Sequence, residues 1–156
     1  RTMSFFKRFL GSFLGTSKRR LPAEMALLGA PKPLVAEVSR LTEDEQEQAF
    51  LRFVEGRHAC VLDWKARRDD IYAGLLPLLS ADERVLLPAA AEVPDDAAAA
   101  IAVLRRTLSA SGRRLVHTES FGDFTFLVLV PEAQEAAFVA AAGPWVIQGD
   151  GEHQGT

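Results

Sequence analysis

R-R-L-V-H-T-E-S-F-G-D-F-T-F-L-V-L-V, residues 113–130, is the stretch on which the fold turns. Residues 113–119 alternate in polarity, as a half-buried strand does, and residues 124–130 are almost wholly apolar, as a central strand is. Phe121-Gly122-Asp123 between them reads as a turn, and strands this close in sequence form a hairpin. A hairpin needs further cover. H-A-C-V-L-D-W, residues 58–64, is a short run with few breakers and supplies another strand. W-V-I-Q, residues 145–148, supplies a fourth strand or covers an edge.

The segments around these strands read as helices. Leu34, Val35, Val38 and Leu41 recur at helical spacing behind Pro31 and Pro33. Thr42-Glu43-Asp44-Glu45 matches a capping box in front of an apolar face of Phe50, Leu51, Phe53 and Val54, with Gly56 beyond the end. Asp69-Asp70 starts a helix through Ile71, Leu75, Leu76 and Leu79, which Pro77 kinks or stops. Ser80-Ala81-Asp82-Glu83 is a second capping pattern, opening a short helix that ends near Pro88. Pro94-Asp95-Asp96 precedes an alanine-rich run expected to be the longest helix, ending before Gly112. Pro131-Glu132 opens a last helix through Ala142, broken by Gly143-Pro144. The order predicts an α+β domain: a small mixed or antiparallel sheet of three to four strands, with helices mainly on one face.

The bulk numbers agree with one domain. The chain has 156 residues, 48% hydrophobic and 25% charged, which are ordinary values for one globular unit. Cys60 is the sole cysteine, so no disulfide closes within the chain and no zinc spacing exists; a lone thiol fits a reducing cytosol. Charge is divided unevenly. Residues 1–20 hold six basic residues and no acid, so the net charge of −3 leaves −9 on the remainder. An acidic body repels nucleic acid, and only the basic head could meet phosphates.

That head is also amphipathic. On a wheel at about 100° per residue, Phe5, Phe6, Phe9, Leu10, Phe13 and Leu14 share one half, and Ser4, Lys7, Arg8, Gly11 and Ser12 the other. It is too short for a transmembrane span. Lys7 and Arg8 interrupt the apolar centre a signal peptide needs. The apolar face therefore packs on this domain or on a partner protein, or it lies in a membrane interface with Lys7, Arg8 and the 18–20 cluster against anionic lipid. Met3 reads as the natural start, with Arg1-Thr2 as a remnant ahead of it. Lys18-Arg19-Arg20 followed by Leu21-Pro22 reads as a linker. The division is then a basic segment at 1–20, a single domain at 21–148 and a polar, flexible tail at 149–156.

No glycine-rich phosphate loop, H-E-x-x-H, G-x-S-x-G or cysteine pair occurs. Three constellations could carry chemistry. Asp63-Trp64-Lys65 ends the first strand; an acid and a base there could handle a proton or a polar ligand, with Trp64 as a stacking wall. The plain alternative puts Trp64 in the core and Asp63 on the following turn. His117 and Glu119 share one strand face near Asp123, and a histidine oriented by a carboxylate can act as a general base. A nucleophile would have to come from Cys60 across the sheet; otherwise His117 is a half-exposed strand histidine. His58 and His153 lack even this context, and no metal set can be assembled. Arg67-Arg68 and Arg113-Arg114 could hold an anion, or be paired locally.

L-D-W-K after an apolar strand, a long helix ending at Gly112, and F-G-D-F-T-F-L-V-L-V-P together resemble an uncharacterised bacterial family of small proteins of unknown function. The resemblance covers about residues 45–131. It implies a small α+β cytosolic protein and carries over no activity or catalytic residue.

Three functions follow as expectations. The first is a non-enzymatic interaction module of the bacterial cytosol, needing no cofactor, in which the Phe-rich helix docks on the body or on a protein partner. The second is a peripheral membrane protein held by its opening segment. The third is an enzyme of unrecognised class working through Asp63, His117, Glu119 and Asp123.

Overall fold

A computed structural model describes residues 19–148. The expectations for Phe5, Phe6, Lys7, Arg8, Phe9 and Phe13, and for the tail at 149–156, lie outside the described residues. Among the described residues seven α-helices and three strands follow in order: α1 (Leu21–Leu27), α2 (Lys32–Ser39), α3 (Glu43–Val54), β1 (Ala59–Asp63), α4 (Arg68–Leu75), α5 (Ala81–Leu86), α6 (Ala97–Leu108), β2 (Arg113–Glu119), β3 (Phe124–Pro131) and α7 (Glu135–Ala142).

Local chemistry explains most boundaries. Thr42 accepts from the Glu45 N–H while the Glu45 carboxylate takes the Thr42 N–H, closing the box in front of α3. Ser80 and Glu83 do the same for α5. Asp96 caps α6 by accepting from the Ala99 N–H at 3.0 Å. Such caps satisfy backbone donors that have no partner inside the helix. Pro77 ends α4 as expected: the helix stops at Leu75 and tightens into a 3₁₀ turn over Leu76–Leu78. α6 shares the greatest length with α3, at 12 residues each.

The fold is α+β, with a sheet of order β1-β3-β2 in which both pairings are antiparallel. β3 is central, which accounts for its unbroken apolar run. Residues 145–148 do not form a fourth strand. They cover the outer edge of β2 through one bridge, Val146 to Thr118, and one bond from the Ile147 N–H to the His117 carbonyl at 2.8 Å.

The helices divide between both sheet faces, where the sequence reading puts them mainly on one. Alternation along the strands gives the reason. Ala59, Val116, Phe126, Val128 and Val130 point to one side, and α1, α2, α3 and α7 bring Met25, Val38, Phe50, Val54 and Phe138 onto them. Cys60, Leu62, Leu115, Leu127 and Leu129 point to the other, against Ile71, Leu75, Ile101, Leu104 and Leu108 of α4 and α6. A sheet apolar on both faces must be covered on both. α4 lies so close to β1 that a Cβ added at Gly74 would stand 3.0 Å from the Cys60 Cβ.

Arg19 and Arg20 are not linker. The Arg20 N–H bonds to the Ala141 carbonyl at 3.1 Å, and α1 begins at Leu21 with Pro22 in its first turn, where proline is well tolerated. The Arg19 guanidinium is buried. Its Nε and Nη2 each reach a Glu24 carboxylate oxygen at 2.8 Å, Nη1 donates to the Glu119 carbonyl at 2.7 Å, and Nη2 donates to Thr118 Oγ1 at 3.2 Å. The rings of Phe50, Phe121 and Phe126 lie within 6 Å of it. Burial raises the Glu24 carboxyl above its usual range, and Arg19 opposes that rise. A fixed fork of donors suits arginine to this place.

Candidate functional site

A cleft of about 330 Å³ opens between the sheet and the first half of α6, at the end where β1 and β2 stop and β3 begins. Its origin is the alanine run. Ile101, Leu104 and Leu108 reach down from α6 into the core, and Ala100 is buried with them. Ala97, Ala98 and Ala102 instead line the cleft, because side chains of one carbon leave space above the sheet. The sequence reading takes the alanine run as a strong helix former; part of it also lines open space.

Three of the four candidate polar residues line this cleft: Asp63, His117 and Glu119. Strand parity puts His117 and Glu119 on the face of Leu115 and Leu127, as expected. His117 Nε2 lies 2.9 Å from Thr125 Oγ1, on the neighbouring strand. Glu119 is buried, and its own carbonyl is held from behind by Arg19. Asp63 lines the cleft from the end of β1, and its Oδ1 accepts from the Lys65 N–H at 2.8 Å, which fixes the turn after the strand; by alternation its side chain belongs to the face of Ala59 and Phe124, opposite that of His117 and Glu119. Asp123 is an exposed turn residue and does not line it.

Trp64 is not core. It is 58% exposed at the cleft rim, with Lys65 Nζ 5.0 Å from its ring centre. Arg105 adds a cation from α6, positioned by its Nε donating to the Leu115 carbonyl at 3.2 Å. Leu62, Ile101 and Ile147 supply apolar wall, and Gln148 a polar edge.

Cys60 does not meet His117. Both stand opposite Leu127, one on each flank of β3, and all three side chains point to one face. Leu127 therefore separates thiol from imidazole by two strand spacings, roughly 10 Å between backbones. Burial also pushes the Cys60 thiol up to about 11, which keeps it protonated and poorly nucleophilic at neutral pH.

The arginine pairs are local structure. Arg67 pairs with Asp95 at 2.9 Å, and Arg68 donates to the Val93 carbonyl at 2.8 Å, tying α4 to the segment before α6. Arg113 binds Glu83, whose carboxyl it holds down to about 2, and Arg114 pairs with Glu132 at 2.8 Å. His58 stacks on Phe53 at 4.8 Å, and burial lowers its pKa. Among the described residues no three His, Cys, Asp or Glu side chains gather as metal ligands, and no helix is long and apolar enough to cross a membrane.

Sequence reasoning did not single out Arg105, Thr125 or Gln148. Thr125 was within reach, since closing the hairpin sets Glu119 opposite Thr125. Arg105 lies four residues after Ile101, one helical turn along the same face. Gln148 carried no signal.

Comparison with protein-family models, with curated proteins and with solved structures finds no match to this chain.

Proposed function

We propose that the chain is a non-enzymatic binding module that holds a small molecule in the cleft beneath α6. One observation carries this reading. Strand ends, the hairpin, a helix and the 145–148 segment, far apart in sequence, converge their polar side chains on one concave space with apolar walls. Ligand sites have this make-up: apolar lining, a few convergent polar groups and a volume of roughly 300–1,000 Å³. The space lies at the small end of that range. The protein-partner and anionic-membrane readings rest on the segment 1–20, and of the 18–20 cluster that the membrane reading counts on, Arg19 is buried against Glu24. The enzyme reading loses its nucleophile, since Leu127 stands between Cys60 and His117.

The test uses 8-anilinonaphthalene-1-sulfonate, whose fluorescence rises in apolar surroundings. Binding is measured on the full chain and on Ala102→Trp, which fills the cleft from its helical wall. Saturable binding that the substitution removes supports the proposal. Equal binding by both proteins, or none by either, overturns it.

A further inference from the structure

The charged groups around the cleft are already engaged. Arg105 Nε donates to the Leu115 carbonyl at 3.2 Å, and neither Arg105 nor Glu119 is without a partner within the protein. Asp63 belongs by alternation to the other sheet face, and its Oδ1 accepts from the Lys65 N–H at 2.8 Å. Lys65 Nζ lies over the Trp64 ring. A ligand charge entering the cleft would have to break one of these contacts or go unbalanced, and either is costly away from water. Thr125 is different. It stands on the cleft face in register with Leu62 and Glu119, is 5% exposed, and its Oγ1 lies 2.9 Å from His117 Nε2. A hydroxyl offers one donor and two acceptor sites, so one bond to His117 leaves it able to bond a ligand as well. The space beside it is a slot. Ala97, Ala98 and Ala102 reach one carbon down from α6, and Leu62, Ile101 and Ile147 close the apolar walls. At the rim Trp64 keeps 58% of its surface exposed, a large ring left without cover beside a concave site.

Resting on the cleft being a binding site, we infer that its ligand is an uncharged aromatic molecule with one neutral hydrogen-bonding group, which bonds to the Thr125 hydroxyl. The rings lie in the slot between the alanines of α6 and the sheet, and Trp64 packs on their outer edge, as aromatic rings do on one another. A volume of about 330 Å³, at the small end of ligand cavities, holds one or two fused rings and no peptide. Selection against charged molecules follows from the engaged groups, which have nothing to offer a new charge without losing a partner they already have.

Displacement of 8-anilinonaphthalene-1-sulfonate from the full chain at neutral pH tests this with three competitors of one shape. 2-Naphthalenemethanol is neutral, 2-naphthoate is an anion and 2-naphthylmethylammonium is a cation. With its charge inside the cleft, either ion leaves that charge unbalanced; turned round, with the charge in water, it forfeits the Thr125 bond. The fluorescent probe binds in this second way, rings inward and sulfonate outward. The alcohol should displace it at a concentration at least roughly fivefold below that of either ion. Thr125→Val keeps the shape, removes the hydroxyl and should close that gap. The comparison of competitors needs no variant, so a substitution that impairs folding does not blunt it. An ion that matches the alcohol overturns the inference, and so does an unchanged gap in a Thr125→Val protein that still binds the probe. Failure of all three to displace a probe that binds wild type and not Ala102→Trp overturns it too, and in each of these cases the cleft reading survives. Loss of the fluorescent probe's cleft binding overturns both.

Discussion

The two faces of one sheet meet different fates. On the face of Phe126, Val128 and Val130, four helices close the surface, and aromatic rings of Phe50, Phe121 and Phe126 pack edge to face at 5.7–6.1 Å. Even a charge pair, Arg19 with Glu24, is walled in there, with side chains 4% and 0% exposed. On the face of Leu127 and Leu129, α4 and α6 close the middle, but the alanines at the start of α6 leave the end open. The strands alternate in the same way toward both sides, so the contrast comes from the helices laid over them. Large side chains make a sealed face that carries stability. A run of small ones makes a recess where polar strand residues stay reachable.

The sharpest way to break this contrast is at the buried pair. Arg19→Met leaves the Glu24 carboxylate without its cation in a sealed core and removes a donor from the Glu119 carbonyl. The expected loss is about 3–5 kcal/mol in urea unfolding, as for other orphaned buried charges. Arg19→Met with Glu24→Met should recover much of that loss, because burying two ions is costly in itself. A single variant within about 1 kcal/mol of wild type would mean that the face is not sealed.

A middle-sized effect comes from Arg113–Glu83, at the margin of the open face. Arg113 holds the Glu83 carboxyl down to about 2 in the folded protein, against 4.5 as its ordinary value. The unfolded chain therefore takes the proton first as pH falls. The stabilisation is present above about pH 4.5 and is lost as pH drops toward 2. Discounted for solvent access, Glu83→Gln should cost about 1–2 kcal/mol at pH 7 and flatten the acid limb of the stability profile. An unchanged limb would show that other carboxylates set it.

The smallest effect on stability is expected within the cleft. Ala102 is half-buried on its wall, and Ala102→Trp grows into space that already exists. Its melting temperature should stay within about 3 °C of wild type, equivalent to well under 1 kcal/mol for a domain of this size. A drop of ten degrees would mean that the recess is packed as tightly as the other face.

Legibility in the sequence follows the range of the forces involved. The capping boxes at Thr42 and Ser80, the Pro77 stop and the 113–130 hairpin are contacts within a few residues, and each was readable. His117 and Glu119 were placed on one face by parity alone. Trp64 was ambiguous because a tryptophan after a strand suits a core or a rim equally, and only the end of β1 beside the cleft decides between them. The lysine-arginine run at 18–20 was misleading. Basic residues beside a proline look solvated, and nothing nearby in sequence announces that Glu24 and three phenylalanines will close over Arg19.

The sequence by itself determined the α+β class, the limits of most helices though not of α1, whose first residues read as linker, the hairpin and the alternation of each strand, since periodicity and end-capping act over one or two turns of chain. The tertiary structure alone decided that β1 pairs with β3, that helices cover both faces, and that Arg19 reaches a carbonyl 100 residues away. It also decided that Asp63, Arg105, His117 and Glu119 share one space. Those outcomes depend on which distant surfaces exclude water together, and burial of apolar area is set by shape and volume rather than by neighbours along the chain.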